Sequence, residues 1–266
     1  MANVLLKSVC KAMERIAPLR LAEKWDNVGL LLESPVPKQS RKVFLTIDLT
    51  TAVLDESLKK DAAVIVSYHP TIFKGLRSFT LANPLEASLL KCAAHGISVY
   101  SPHTALDSVW GGINDWIAKG LLNTAQDGEV RPLVGEKKNN ITGESEGAEV
   151  QVGYAATEES QASSIRTIAI CAGSGGSMLV GQDADVYLTG EMSHHEVLAT
   201  VAAGRHVILS AKSMPVGGHT NTERGYLPIL AAKLRSELQA TEFKELGLHE
   251  VEVLVSEKDQ HPLQVV

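Results

Sequence analysis

Cysteine is scarce in this chain. Cys10, Cys92 and Cys171 are the three among 266 residues, odd in number, widely spaced and without a CxxC pair. Such usage points to reduced thiols and an intracellular, cytoplasmic setting, each cysteine serving as a small core or surface residue. Long apolar runs are lacking too. None approaches the roughly 20 residues needed to span a bilayer, so no membrane partner is expected. Nor is there a surplus of basic charge. Lysine and arginine number 25 against 31 aspartates and glutamates, and the formal net charge of −6 argues against nucleic acid as the primary partner. No short internal repeat of about 20 to 50 residues is visible.

What is present suits a two-domain globular protein. A hydrophobic content of 44% supports a buried core, and 266 residues fill two compact domains comfortably. Residues 1–21 have a transit-peptide flavour, with Lys7, Lys11, Arg15 and Arg20 and no acidic residue before Glu14. Val4, Leu5, Val9, Met13 and Ile16 nevertheless mark an amphipathic face, so the stretch reads as the first structural helix. Mitochondrial or nuclear placement stays open as the alternative to the cytoplasm.

Helix and strand alternate from there, the pattern of α/β layers. Strands are expected near 28–32, 42–48, 62–67 and 97–101, and helices near 50–60 (capped by a threonine), 84–95 and 111–122. Apolar periodicity fades over 126–149, where Gly128, Gly135, Gly143 and Gly147 mix with Glu, Lys and Asn. That stretch reads as a linker or surface excursion between an N-terminal lobe (1–125) and a C-terminal lobe (150–266). In the second lobe a helix is expected to start within 157–164, and strands near 166–171, 185–188, 207–210 and 251–256. Further helices are expected after the Gly173-Ser174-Gly175-Gly176 turn, at 193–203 and at 224–238.

The chemistry-bearing residues gather where strands are expected to end. His219 and Glu223, four apart, share one face if their segment opens a helix, so an imidazole and a carboxylate can reach one metal ion. A bland reading competes: Thr220 or Thr222 capping the helix, with Glu223 favoured by the helix dipole. His69 follows the apolar run at 62–66, at the mouth of a central strand, where open α/β sheets place ligands. Asp107 lies four residues after His103; it suits a ligand or a local turn or helix-start residue. His103 itself suits a ligand, a proton shuttle or a partner orienting a carboxylate. Together His69, Asp107, His219 and Glu223 form a mixed nitrogen–oxygen set suited to Zn, Fe, Mn, Ni or Co, one or two ions per chain.

Two further segments qualify that picture. Glu191 lies three or four residues from His194 or His195 in Thr189-Gly190-Glu191-Met192-Ser193-His194-His195, a ligand-like spacing, and Glu191 and His195 read as pocket residues rather than ligands. The following Glu196-Val197-Leu198-Ala199 departs from the HExxH zinc motif, because Ala199 stands where the second histidine belongs. The glycine turn at 173–176 lacks the third glycine of a dinucleotide fingerprint, Met178 occupying that place, and reads as tight strand-to-helix packing.

Glu23-Lys24-Trp25-Asp26-Asn27-Val28-Gly29-Leu30, Tyr68-His69-Pro70, His103-Thr104-Ala105-Leu106-Asp107, Asp185-Val186-Tyr187-Leu188-Thr189-Gly190-Glu191 and Gly218-His219-Thr220-Asn221-Thr222-Glu223 occur in one order along the chain. Taken jointly they resemble the Nif-three-like family (NGG-one interacting factor three), whose bacterial members are described as GTP cyclohydrolase type 2 homologues. The resemblance spans nearly the whole chain apart from about 123–149. It implies two related α/β lobes, a dinuclear metal site in the cleft between them, and a toroidal homohexamer. By matching motif it implies His69, Asp107, His219 and Glu223 as metal ligands, with His195 and His103 as further site histidines. Tyr68 departs from the consecutive histidines of many bacterial members, so a ligand of a second metal is lost or replaced by a phenol, a poorer ligand with a pKa of about 10. The expected function is a metal-dependent hydrolase acting on a small polar or nucleotide-like substrate, with Glu191, His195 and His103 handling protons. The alternative is a non-enzymatic, metal-stabilised oligomeric scaffold that binds a regulatory, transcription-related protein.

Overall fold

The computed structural model of the chain describes residues 4–122, 128–134, 137–138, 141–147, 150–155, 165–209, 219–240 and 250–262. The helices are α1 (Val4–Ile16), α2 (Thr51–Lys59), α3 (Pro84–Ala94), α4 (His103–Ser108), α5 (Ile113–Leu121), α6 (Gly176–Leu179), α7 (His194–Ala202), α8 (Asn221–Arg224) and α9 (Leu227–Leu238). The strands of the first half are β1 (Gly29–Leu32), β2 (Lys42–Thr46), β3 (Val64–Ser67), β4 (Ser98–Ser101), β5 (Gly128–Val134), β6 (Lys137–Lys138) and β7 (Ser145–Gly147). They are followed by β8 (Val150–Ala155), β9 (Thr167–Ser174), β10 (Val186–Glu191), β11 (His206–Leu209) and β12 (Glu252–Val255). This is the α/β alternation expected from the sequence. The helix start expected within 157–164 lies outside the described residues.

The chain divides into two compact units, Met1–Leu106 with Tyr226–Gln260, and Asp107–Gly225 with His261–Val266. This differs from a sequential split into 1–125 and 150–266. After the second unit the chain returns to the first, because β12 pairs in parallel with β2 and α9 packs on α1.

In the first unit the sheet order is β1-β4-β3-β2-β12, parallel from β4 to β12, with β1 antiparallel at one edge. Val43-Phe44-Leu45 and Val64-Ile65-Val66 are buried at every position, as parallel strands covered on both faces require. Phe44, Ile65 and Val99 pack with Val53 and Leu54 of α2 and with Leu89 and Cys92 of α3. Thr50 caps α2 as expected, its Oγ1 accepting from the Val53 amide at 3.3 Å. The helical face of α1 buries Leu5, Leu6, Val9, Ala12, Met13 and Ile16, and its partner α9 buries Leu227, Leu230, Ala231, Leu234 and Leu238. Each fully buried Leu, Ile, Val or Met among them stabilises the fold by about 1.5–3 kcal/mol, so a charge at Val9 or Met13 would undo the docking of α1.

In the second unit the order is β11-β10-β9-β8-β5; β11, β10 and β9 run parallel, while β8 is antiparallel to both neighbours. Part of the stretch expected as a linker is therefore the edge strand β5, paired with β8 from Gly128↔Ala155 onward. An edge strand is held by backbone bonds on one side only and tolerates Gly128 and Pro132, so it needs no apolar alternation to announce it. The core here gathers Ala169, Leu179, Ala184, Tyr187 and Met192. No helix among the described residues is long and apolar enough to cross a membrane.

Candidate functional site

Strand register places the first group of polar side chains. Val43 pairs with Val64, an offset of 21 (64 minus 43), and Val64 pairs with Ser98, an offset of 34 (98 minus 64). Carried two residues past the end of β2, the same offsets align Asp48 with His69 and His69 with His103. Backbone bonds extend the ladder that far: the His69 amide donates to Ile47 O at 3.0 Å and the His103 amide to Tyr68 O at 3.2 Å. Asp48, His69 and His103 thus form a row at the carboxyl ends of three parallel strands, where α/β sheets bind ligands. His69 Nδ1 lies 2.9 Å from Asp48 Oδ1, and the rings of His69 and His103 are 5.4 Å apart.

His103 opens α4 with φ of +30°, a left-handed backbone value. Its Nδ1 sits 2.8 Å from Asp26 Oδ1, and Asp26 Oδ2 accepts from the Thr104 amide and hydroxyl at 3.1 and 2.5 Å. The Asp26 carboxylate is closed from solvent. Burial pushes its pKa up, but the hydrogen bonds from His103 and Thr104 outweigh that and hold it below the ordinary aspartate value. An ionised carboxylate only accepts, so Nδ1 of His103 carries the proton and Nε2 is left as the acceptor. Tyr68 is buried, its ring against His69 and His103 at 4.9 and 5.4 Å.

The second unit has polar side chains of its own at the end of β9. Thr222 Oγ1 accepts from the Gly173 amide at 2.9 Å and donates to the His219 carbonyl at 3.0 Å, pinning the 219–223 turn to the end of β9. Gly173 has φ of +66°, and a Cβ there would lie 2.6 Å from Glu223 Oε1 and 2.9 Å from His219 Nε2. At Gly190 a Cβ would lie 2.7 Å from the His219 carbonyl oxygen. At both positions the absence of a Cβ permits the close approach of the 219–223 segment. His219 Nε2 is 3.2 Å from Glu223 Oε1, and His219 Nδ1 is 3.2 Å from Glu191 Oε2. Glu223 is 1% exposed.

The capping interpretation of this segment does not describe it. Thr220 stands at the N-cap of α8 without a side-chain capping bond and instead accepts from Arg224 Nη1 at 2.8 Å. Asp107 does not cap α5 either, since Gly112 is the N-cap and Asp115 accepts from the Gly111 amide. The Asp107 carbonyl accepts from Asn114 Nδ2 at 3.2 Å while Asn114 Oδ1 accepts from the Ala172 amide at 2.8 Å, tying the end of α4 to β9. Burial, followed by the charges of Asp107 and Glu223, pushes the Cys171 thiol up to about 12.

Of the residues singled out in the sequence, the structure joins His69 to His103 in one unit and His219 to Glu223 and Glu191 in the other. His195 stands apart on the exposed side of α7, its ring 5.7 Å from that of His194. Sequence reasoning missed the partners Asp48, Asp26, Asn114 and Thr222. For Asp48 the signal was an aspartate just past the end of an apolar strand; for Asp26 it was the Trp25-Asp26-Asn27 segment, recognised as a motif without a role.

The donor set fits a metal. Nε2 of His219 and Oε1 of Glu223 stand 3.2 Å apart, near the ~3 Å separating neighbouring ligands about 2.0–2.1 Å from one ion. Gly173 leaves room where a side chain would intrude on both atoms. A mixed α/β fold with carboxylate-backed histidines at strand ends defines a candidate metal-binding protein of the α/β class. A family model, Duf34/NIF3 (NGG1p interacting factor 3), matches residues 4–262, and the chain belongs to that family. It is 40% identical to Protein NIF3 homolog of Schizosaccharomyces pombe, over 95% of each chain. It is 34% identical to NGG1-interacting factor 3 of Saccharomyces cerevisiae, covering 98% of this chain and 96% of that one. Among solved structures, the Bacillus cereus protein related to NIF3 shares the fold with a TM-score of 0.74 at 18% identity, over 98% of both chains.

Proposed function

We propose that the chain binds one or two divalent metal ions through His69, Asp107, His219 and Glu223 and is a metal-dependent hydrolase acting on a small polar or nucleotide-like substrate. The observation that carries this reading is His219, with Nδ1 held by Glu191 and Nε2 beside the buried Glu223. Two imidazoles and a carboxylate, from His69, His219 and Glu223, are a donor set able to hold an ion, and Asp107 would add a second carboxylate. Zn, Fe, Mn, Ni and Co all accept such ligands. A divalent ion supplies Lewis acidity and makes a coordinated water acidic enough to ionise near neutral pH.

The chain's own residues do the rest. Asp48 and Glu191 hold the rings of His69 and His219 so that each presents Nε2, the outer-shell support common to metal-ligating histidines. His103, fixed through Nδ1 by Asp26, keeps Nε2 to take a proton from the attacking group or return one to the leaving group. Glu191 and His195, both exposed, are the proton-handling candidates of the second unit. Assembly as a homohexamer belongs to the same reading, and sedimentation equilibrium checks it. The central test is turnover of a nucleotide and phosphoester panel by metal-reconstituted protein. At least one compound should be hydrolysed by the wild type and spared by His219→Ala; the absence of any His219-dependent turnover overturns the reading.

A second reading has its own support. Tyr68 is buried against the histidine rings where a ligand of a second ion is expected, and the S. cerevisiae relative is called an NGG1-interacting factor. On this reading the chain is a metal-stabilised scaffold for a regulatory protein. Glu223→Ala would then release metal while leaving assembly and partner capture intact, and loss of both with the metal would count against it.

A further inference from the structure

Two large rings stand open beside His103. The Trp25 indole and Phe73 phenyl meet edge to face with centroids 6.0 Å apart, and each is T-shaped to the His103 imidazole, at 6.1 and 6.4 Å. Trp25 is 62% and Phe73 55% exposed. The loops presenting them are braced, not slack. Asn27 Nδ2 donates to the Ile72 carbonyl at 2.6 Å, and Asp26, next to Trp25, is fixed by His103 and Thr104. Among the described residues Leu76, Phe79, Leu81 and Leu85 are also exposed, but Phe79 makes no ring contact with this pair.

Apolar rings are normally buried, so a braced pair held open at the strand ends calls for an occupant. A stable protein–protein interface covers about 800 Å² on each partner, whereas one aromatic side chain offers about 150–250 Å² in all. The pair is scaled to a single planar ring. The neighbouring imidazole adds a polar contact at its edge, which favours a heteroaromatic ring over a hydrocarbon one. We propose that Trp25 and Phe73 form a subsite that stacks the planar heteroaromatic part of a ligand against the edge of His103. The proposal deepens the hydrolase reading and rests on it only for the chemistry done at the histidines, not for the stacking itself.

Titration calorimetry on the full chain, with and without Zn²⁺, tests it. The probes are the 5′-monophosphates of adenosine, guanosine and uridine, with pterin, against ribose 5-phosphate, which keeps the sugar and phosphate but lacks the ring. At least one ring-bearing probe should bind ten times more tightly than ribose 5-phosphate. Trp25→Leu and Phe73→Leu should each weaken it about tenfold, the scale of one lost stacking contact, while Trp25→Phe keeps most of the affinity; circular dichroism verifies that the variants fold. If no ring-bearing probe exceeds ribose 5-phosphate, or if the leucine variants bind as the wild type does, the subsite is overturned. It is equally overturned if acrylamide quenching, compared between wild type and Trp25→Leu, finds the indole shielded in the native assembly, since another copy then covers it. Ring binding that survives in Glu223→Ala, with neither metal nor turnover in the wild type, sinks the metal reading and leaves the subsite standing.

Discussion

At the scale of single residues, the recurring device is a histidine backed by a carboxylate. Asp48 holds His69 at 2.9 Å, Asp26 holds His103 at 2.8 Å and Glu191 holds His219 at 3.2 Å, each through Nδ1. Asp26 is the most enclosed of these carboxylates, and its lowered pKa is a statement about stability. The contribution is complete above the unfolded aspartate pKa of about 3.9 and fades as pH falls through the lower folded value. Asp26→Asn should therefore destabilise the chain by about 1–3 kcal/mol at neutral pH and by less below the unfolded value. Urea unfolding at pH 7 and pH 3 checks this, and equal losses at both would contradict it. Gly173 makes a second case. Its φ of +66° and the 2.6 Å approach of Glu223 Oε1 to a notional Cβ leave an alanine no room. Gly173→Ala should cost about 1–3 kcal/mol and weaken metal binding, read by thermal melts and by metal titration. His69, His219 and Glu223 were legible as ligand types because of their spacing and their strand-end setting. The backing of His69 by Asp48 was not, since the two are distant in sequence and meet only once strands are in register; Glu191 was singled out as a pocket residue, but its pairing with His219 was not.

At the scale of elements, register does what local sequence does not. The buried apolar runs of β2, β3 and β10 and the capping threonine of α2 could be located directly, because each is a local signal. The short helix α4, the edge strand β5 and the return of β12 to the first sheet could not. Their cause is pairing with distant residues, as with β12 against β2. The return of β12 is secured by Glu56 of α2. Its carboxylate accepts from the Ser256 hydroxyl at 2.6 Å and from the Glu257 and Lys258 amides at 3.1 Å, just beyond the strand. Close by, Asp259 accepts from the Ile47 amide at 2.6 Å, one residue before Asp48. Burial raises the Glu56 pKa, and these hydrogen bonds more than reverse that, so the folded value lies below the ordinary one. Glu56→Ala should destabilise the first unit by about 1–3 kcal/mol and speed hydrogen exchange at the β12 amides before those of β3. Unchanged exchange in β12 would mean that the strand is held without this latch.

At the scale of the whole molecule, the proposed ligand set makes a demand that neither unit meets alone. His69 belongs to the first unit, whereas Asp107, His219 and Glu223 belong to the second. An ion that takes donors from both is released when either unfolds, so its binding free energy adds to the stability of each. With metal at about one hundred times its dissociation constant the gain is ~2.7 kcal/mol, enough to move a melting transition by several degrees. Wild-type protein should therefore melt higher, and over one transition, with Zn²⁺ or Mn²⁺ than after treatment with a chelator. His69→Ala and Glu223→Ala, one from each unit, should lose that increment alike, while Tyr68→Phe, which removes only the phenol oxygen, should keep it if the phenol is no ligand. Scanning calorimetry of the wild type and these variants, with metal counted per chain, decides the matter. Should His69→Ala retain the full metal-induced shift, the ion is held by the second unit alone, and the first contributes only the row of Asp48, His69 and His103 as a binding surface.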